Sequence, residues 1–138
     1  MNAEIKALWL EKLRDPETKQ TRGVLNRVAS ADVEDPAPEG LCCLGVLCEL
    51  AVDAGVIERA DEPLDGQIGY RTVRYPKAVE PETSVEWAVL PREVQEWVGL
   101  NRSFPTVEVP GQGVFALAMV NDSGHTFAEI ADMIEEGL

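Results

Sequence analysis

Residues 40–55, GLCCLGVLCELAVDAG, decide how this chain folds. Between positions 41 and 52 only Gly45 and Glu49 are not apolar in character. Projected at about 100° per residue, Leu41, Cys43, Leu44, Leu47, Leu50 and Ala51 cover more than half the circumference. Cys42, Val46, Glu49 and Asp53 fall along one remaining stripe. A helix this apolar is buried on most sides, and it is far shorter than the ~20 residues that span a bilayer. The stretch predicts a central buried helix over residues 41–54. Gly55 is placed to end it in the left-handed conformation, and Val56-Ile57 supplies the hydrophobic contact that follows such a cap.

On the N-terminal side, residues 3–14 carry Ile5, Leu8, Trp9 and Lys12 at helical spacing, and Asp15-Pro16 stops that helix. TRGVLNRV, 21–28, is a weak strand, and SADVEDPAPE, 30–39, is an acidic, proline-containing loop. On the C-terminal side, DEPLDGQIG, 61–69, reads as a loop, YRTVRY, 70–75, as a short strand and SVEWAVL, 84–90, as its antiparallel partner. Pro91 opens a short helix that Gly99 ends. Residues 101–113 read as loop, and VFALAMV, 114–120, is apolar throughout, so strand and helix both stay open. Residues 121–124 read as a turn. Thr126 and Glu129 have capping-box spacing before a closing helix whose inner face is Phe127, Ile130, Ala131, Ile134 and Leu138. The pattern predicts one α+β domain over residues 1–138, about four helices packed on a small antiparallel sheet.

The charge is unusual. Twenty-five acidic against 12 basic residues give −13, which repels phosphate backbones and anionic membranes at long range. Direct nucleic-acid binding and membrane attachment are therefore not expected. SGHTFAEIADMIEE has the look of a helix-turn-helix segment, but its outer face carries Glu129, Asp132, Glu135 and Glu136, which oppose phosphate contacts. The opening MNAEIKALWLEKLR is amphipathic and charged, unlike a signal peptide. Three cysteines within one helix cannot all pair, so a reducing cytoplasm and buried free thiols are expected.

Cys42, Cys43 and Cys48 project at about 0°, 100° and 240° around one helix, too spread to ligate one ion, so no metal and no cofactor are expected. Cys42 lies near a helix N-terminus, where the dipole lowers a thiol pKa. His125, the single histidine, is then the candidate base for a cysteine enzyme, with Asn121 or Asp122 orienting it. The bland alternative makes the cysteines core residues and His125 a turn residue. A third option is an anion or nucleotide pocket built from Tyr70, Arg71, Arg74, Trp97, Asn101, Arg102 and Ser103: arginine suits phosphate, and aromatic rings stack bases. Arg71 and Arg74 are three apart, so on a regular strand at most one faces a given pocket.

WLEKLRDPETKQTRGVL, GLCCLGVLCELA, LPREVQEWVGL and NDSGHTFAEIADMIEE, in this order, resemble the motifs of small proteins carried by tailed bacteriophages. The resemblance runs from about Trp9 to the C-terminus, and CCLGVLCELA and NDxGxTFxEIADxIEE are its most specific pieces. That family comes without an assigned activity, so no catalytic residue is carried over. It implies a phage accessory protein in the bacterial host cytoplasm. The expected function is non-enzymatic binding that sequesters a nucleotide-type host immune signalling molecule. An acidic inhibitor or DNA mimic that binds a basic host protein is the first alternative, and the Cys42–His125 enzyme the second. A homo-oligomer stays open.

Overall fold

The first helix, α1 (Ala3–Arg14), starts where Asn2 caps it: the Asn2 side chain accepts from the backbone N–H groups of Glu4 and Ile5 at 2.9 and 3.1 Å. It ends at Asp15, which is extended, as the residue before a proline prefers to be. In this computed structural model residues 1–29, 38–72 and 85–138 are described. After α1 come β1 (Asn26–Arg27), β2 (Gly40–Leu41), α2 (Cys43–Asp53), β3 (Ile57–Arg59), β4 (Tyr70–Thr72) and β5 (Val85–Glu86). Then follow α3 (Arg92–Val98), β6 (Thr106–Val109), β7 (Gly113–Ala116), α4 (Leu117–Asp122) and α5 (Phe127–Gly137). Together they form a single compact α+β domain with small antiparallel sheets.

α2 is the axis of this domain. Cys43, Leu44, Leu47, Cys48 and Ala51 have no solvent exposure, which is why so apolar a helix is tolerated. Its start differs from the expected residue 41, because Leu41 is drawn into β2 by pairing with Asn26, leaving Cys42 as the N-cap. Its end is as expected. Gly55 is left-handed at φ +76°, its N–H donates to Val52, and Val56 N–H reaches back to the Ala51 carbonyl at 2.9 Å. That pair of bonds satisfies carbonyls which the helix end would leave bare. α1 packs on α2 through Trp9, wholly buried, whose indole N–H donates to the Cys43 carbonyl at 2.9 Å. α5 closes over α1, with both halves of its capping box formed between Thr126 and Glu129.

The α+β domain with small antiparallel pairing is as expected, VFALAMV is decided, and two segment readings need correction. The expected four helices on one sheet become, among the described residues, five helices and three separate sheets: β1–β2, β3–β4–β5 and β6–β7. VFALAMV divides at Ala116/Leu117, its first half pairing with β6 and its second half forming α4. Residues 101–113 contain β6, and residues 121–122 are helical rather than a turn. The β6–β7 hairpin exists because Val107 and Val109 bury one face of β6 while left-handed Gly111 and Gly113 turn the chain. The pairing of β4 with β5 is as the alternation predicts, with Tyr70 opposite Glu86 and Arg71 opposite Val85. Residues 73–75 of that stretch lie outside the described residues.

Candidate functional site

The stripe of α2 runs out of the core: Cys42 and Val46 are buried, whereas Glu49 and Asp53 reach the surface. Val46, Glu49 and Asp53, with Leu50 beside them, form one wall of a concavity of about 410 Å³. The opposite wall comes from the end of α1 and the segment after it, and contributes Lys12, Glu17, Thr18 and Lys19. Arg59 of β3 also lines the concavity. A volume of this size falls within the ~300–1,000 Å³ of small-molecule sites.

The carboxylates on the α2 wall differ. Glu49 is saturated: Arg59 donates through Nε at 3.1 and 3.0 Å and also through Nη2, and the Tyr70 hydroxyl donates to Oε2 at 2.8 Å. That hydroxyl accepts in turn from Asn26 Nδ2 at 3.0 Å. Burial, followed by the charge of Glu49, pushes the Tyr70 phenol far upward, so it remains a donor at every ordinary pH. Asp53, one turn further along, is exposed and forms no hydrogen bond or ion pair among the described residues. Lys12 and Lys19 likewise have no ion pair among the described residues.

The expected anion pocket is not assembled as a unit. Tyr70 and Arg71 are neighbours on β4 and point to opposite faces. Tyr70 reaches α2, whereas Arg71 is held by its cross-strand partner Glu58 at 2.5 Å and by Asp61 at 3.2 Å. With its side chain only 9% exposed and its guanidinium engaged by two carboxylates, Arg71 is a structural ion-pair residue, which corrects its assignment to phosphate. Trp97 packs against the core. Asn101 and Arg102 are exposed and Ser103 half-buried in the segment between α3 and β6. Arg74 lies outside the described residues. Lys12, Lys19, Arg59 and Asp53 were not selected as site residues from the sequence; of the four, only Asp53 lies on the α2 stripe.

The cysteine site is not assembled either. The Cys42 thiol accepts from Gly45 N–H at 3.4 Å as the N-cap of α2. Burial outweighs the expected help of the helix N-terminus and pushes this thiol up to about 11, and it pushes Cys43 and Cys48 well above the ordinary 9.0. His125 is paired with Glu129, Nδ1 to Oε2 at 3.5 Å. Among the described residues no group of three or more His, Cys, Asp or Glu is arranged to hold a metal ion, and no helix is long and apolar enough to cross a membrane.

Raised thiols carry a consequence for pH. Their neutral form is the folded one, so their stabilisation is fully present below the unfolded value of 9.0 and is lost for Cys42 as pH rises toward about 11. Urea melts at pH 7 and pH 10 are expected to show lower stability at pH 10. A thiol reagent at pH 7.5 is expected to label none of the three cysteines until urea is added. Rapid labelling of the folded protein at Cys42 would contradict both expectations.

No curated protein and no solved structure matches the chain. A family model described as a domain of unknown function, DUF8296, matches residues 1–138, and the chain belongs to that family.

Proposed function

We propose that the protein is a non-enzymatic binding protein that captures a small phosphorylated ligand of nucleotide type in the Lys12–Lys19–Arg59 concavity. On the phage reading of its sequence motifs, capture withdraws a host immune signal in the bacterial cytoplasm. The observation that carries this reading is that Lys12 and Lys19, which have no ion pair among the described residues, line one cavity of suitable size; its third cation, Arg59, is held by Glu49, and Glu17 and Asp53 line the same cavity. At physiological salt, fields fade over ~8 Å, so the cavity lysines rather than the net charge decide what docks there. Among the described residues no aromatic ring lines the cavity. Recognition therefore rests on phosphate and polar groups, not on base stacking. Capture rather than turnover is supported by protonated, buried thiols and by a histidine turned to Glu129.

The test is calorimetry with a panel of nucleoside monophosphates, cyclic dinucleotides and ADP-ribose derivatives. At least one is expected to bind, and Lys12→Ala and Lys19→Ala are each expected to weaken it about tenfold, the value of one charge-assisted contact. A panel without binding sinks the reading. Retention of one basic protein from host lysate by the same sample would then favour the acidic-inhibitor alternative. The acidic concavity between α5 and the β6–β7 hairpin, lined by Glu129, Asp132 and Glu136, is where such a partner would sit.

A further inference from the structure

Two adjoining concavities of about 340 and 250 Å³ share Pro110, Met133 and Glu136, and together they make one groove between α5 and the β6–β7 hairpin. Val109 and Met133, both buried, give it an apolar floor. Its rim is acidic: Glu108, Glu129, Asp132 and Glu136 line it, and among the described residues no lysine or arginine does. Two of these carboxylates already have partners. Glu129 is taken by Thr126 and His125, and Asp132 by Arg14. The side chains of Glu108 and Glu136 are exposed and make no hydrogen bond or ion pair among the described residues.

The strand that borders this groove has an open edge. β6 pairs with β7 on one side only. The Pro105 carbonyl accepts from Leu117 N–H at 2.8 Å and the Val109 carbonyl from Gln112 N–H at 2.9 Å, so the odd positions of β6 bond toward β7. By the alternation of an antiparallel pair, Thr106 and Glu108 turn their backbone N–H and C=O groups the other way. An unpaired edge of this kind is a template for an extended chain. Glu108, which sits on that edge, repels an acidic strand and favours a basic one.

We infer that the groove takes an extended, lysine- or arginine-rich segment of a partner protein, which adds to β6 as a further strand and sets its cations against Glu108 and Glu136. A second copy of this chain presenting the same face would set like charges against each other, so the partner is a different protein. The open edge is short and ends at Pro110, which lacks an N–H, so backbone bonds are few and the two free carboxylates carry the discrimination. The cavity of Lys12 and Lys19 shares no lining residue with this groove, so the two sites fill independently.

The probes are a heptapeptide of alternating lysine and valine and its glutamate–valine counterpart, each titrated into the full chain by calorimetry. Only the lysine peptide is expected to bind. Glu108→Gln with Glu136→Gln is expected to weaken it about a hundredfold, and Glu136→Gln alone about tenfold, the value of one charge-assisted contact. Glu11→Gln with Glu62→Gln removes the same charge from exposed positions elsewhere and should leave the affinity within about twofold, because those charges are screened from the groove. Thermal melts check that the variants stay folded, as exposed substitutions should. The Glu108 amide is expected to exchange with solvent more slowly once the peptide is bound, because it then donates to the added strand. Equal weakening by the two double variants, unchanged exchange at Glu108, equal binding of the glutamate peptide or no binding of the lysine peptide overturns the assignment. Each of these outcomes leaves phosphate capture at Lys12 and Lys19 standing.

Discussion

Asn121→Ala is expected to destabilise the protein by about 3–5 kcal/mol, a large share of the ~5–15 kcal/mol that holds a domain of this size together. The side chain has no solvent exposure, and all of its hydrogen-bonding capacity is used. Nδ2 donates to the Thr21 carbonyl at 2.9 Å and to Asp122 Oδ1 at 3.1 Å. Oδ1 accepts from Gln20 Nε2 at 2.9 Å and from Cys43 N–H at 3.2 Å. The Cys43 bond caps the first turn of α2, whose leading N–H groups have no partner inside the helix. Truncation leaves that N–H and the Thr21 carbonyl buried without partners, at about 1–3 kcal/mol each, beyond the lost bonds themselves. In urea the midpoint should fall at unchanged slope. Asp122→Ala, at an exposed position, is the comparison and should cost about 1 kcal/mol. A loss at Asn121 no larger than at Asp122 would remove the hub assigned to it.

Gly45→Ala sets two effects of opposite sign against each other. Alanine is the better helix former by about 1 kcal/mol, so in an isolated helix the change would stabilise. In this fold the added methyl carbon would lie 1.9 Å from the Leu25 carbonyl oxygen and 2.8 Å from its carbon. Those atoms are backbone, and they are fixed: Leu25 N–H donates to Trp87 at 2.9 Å and its carbonyl accepts from Cys42 at 3.1 Å. Overpacking costs about 1–3 kcal/mol, and so close an approach to fixed backbone lies at the upper end of that range, so sterics win and a net loss of about 2 kcal/mol is expected. Gly137→Ala, where the methyl meets nothing within 4 Å, should be neutral or slightly stabilising. Thermal melts of the pair decide the matter, and a Gly45→Ala protein that melts higher than the parent would mean that α2 and Leu25 are not in contact.

The helices α1, α2 and α5 were legible because each carries a local signal at one end or both and a face with one period. Asn2 and Asp15-Pro16 bound the first, Gly55 ends the second, and Thr126 with Glu129 opens the third. VFALAMV was not legible, since Ala116, the N-cap of α4, offers no side-chain cap and both halves of the stretch are equally apolar. Asn121 and Asp122 have the composition of a turn but sit in a helix, because partners 78 to 101 residues away occupy their side chains. The β6–β7 hairpin did leave a trace, the alternating TVEV before Pro110-Gly111, which the surrounding loop composition masked.

For the site, the sequence carried less. The stripe of Val46, Glu49 and Asp53 is a helical period and could be drawn at once, but what it faces is set by where α1 ends. Arg71 shows the opposite difficulty. Arginine in a strand beside tyrosine suggests phosphate recognition, yet pairing of β3 with β4 delivers Glu58 to it in register. Which carboxylate meets which cation depends on strand register, and residue composition does not encode that. Cys42 illustrates a competition of magnitudes, in which desolvation exceeds the helix-end field and reverses the direction of the shift.

The contact between the first and last helices has a consequence for the order in which the molecule is made. Arg14 of α1 bridges to Asp132 and Glu135 of α5 at 2.9 and 2.7 Å, and Lys6 donates to the Glu135 carbonyl at 3.1 Å. Exposed pairs of this kind add little energy, but they record a seam closed across more than 110 residues of chain. During synthesis α1 leaves the ribosome long before α5 does, so that seam stays open until α5 has emerged. Long-range closure of this kind slows folding more than it weakens the product. A nascent chain lacking α5 is therefore the form most exposed to chaperones and proteases, and the first helix waits on the last.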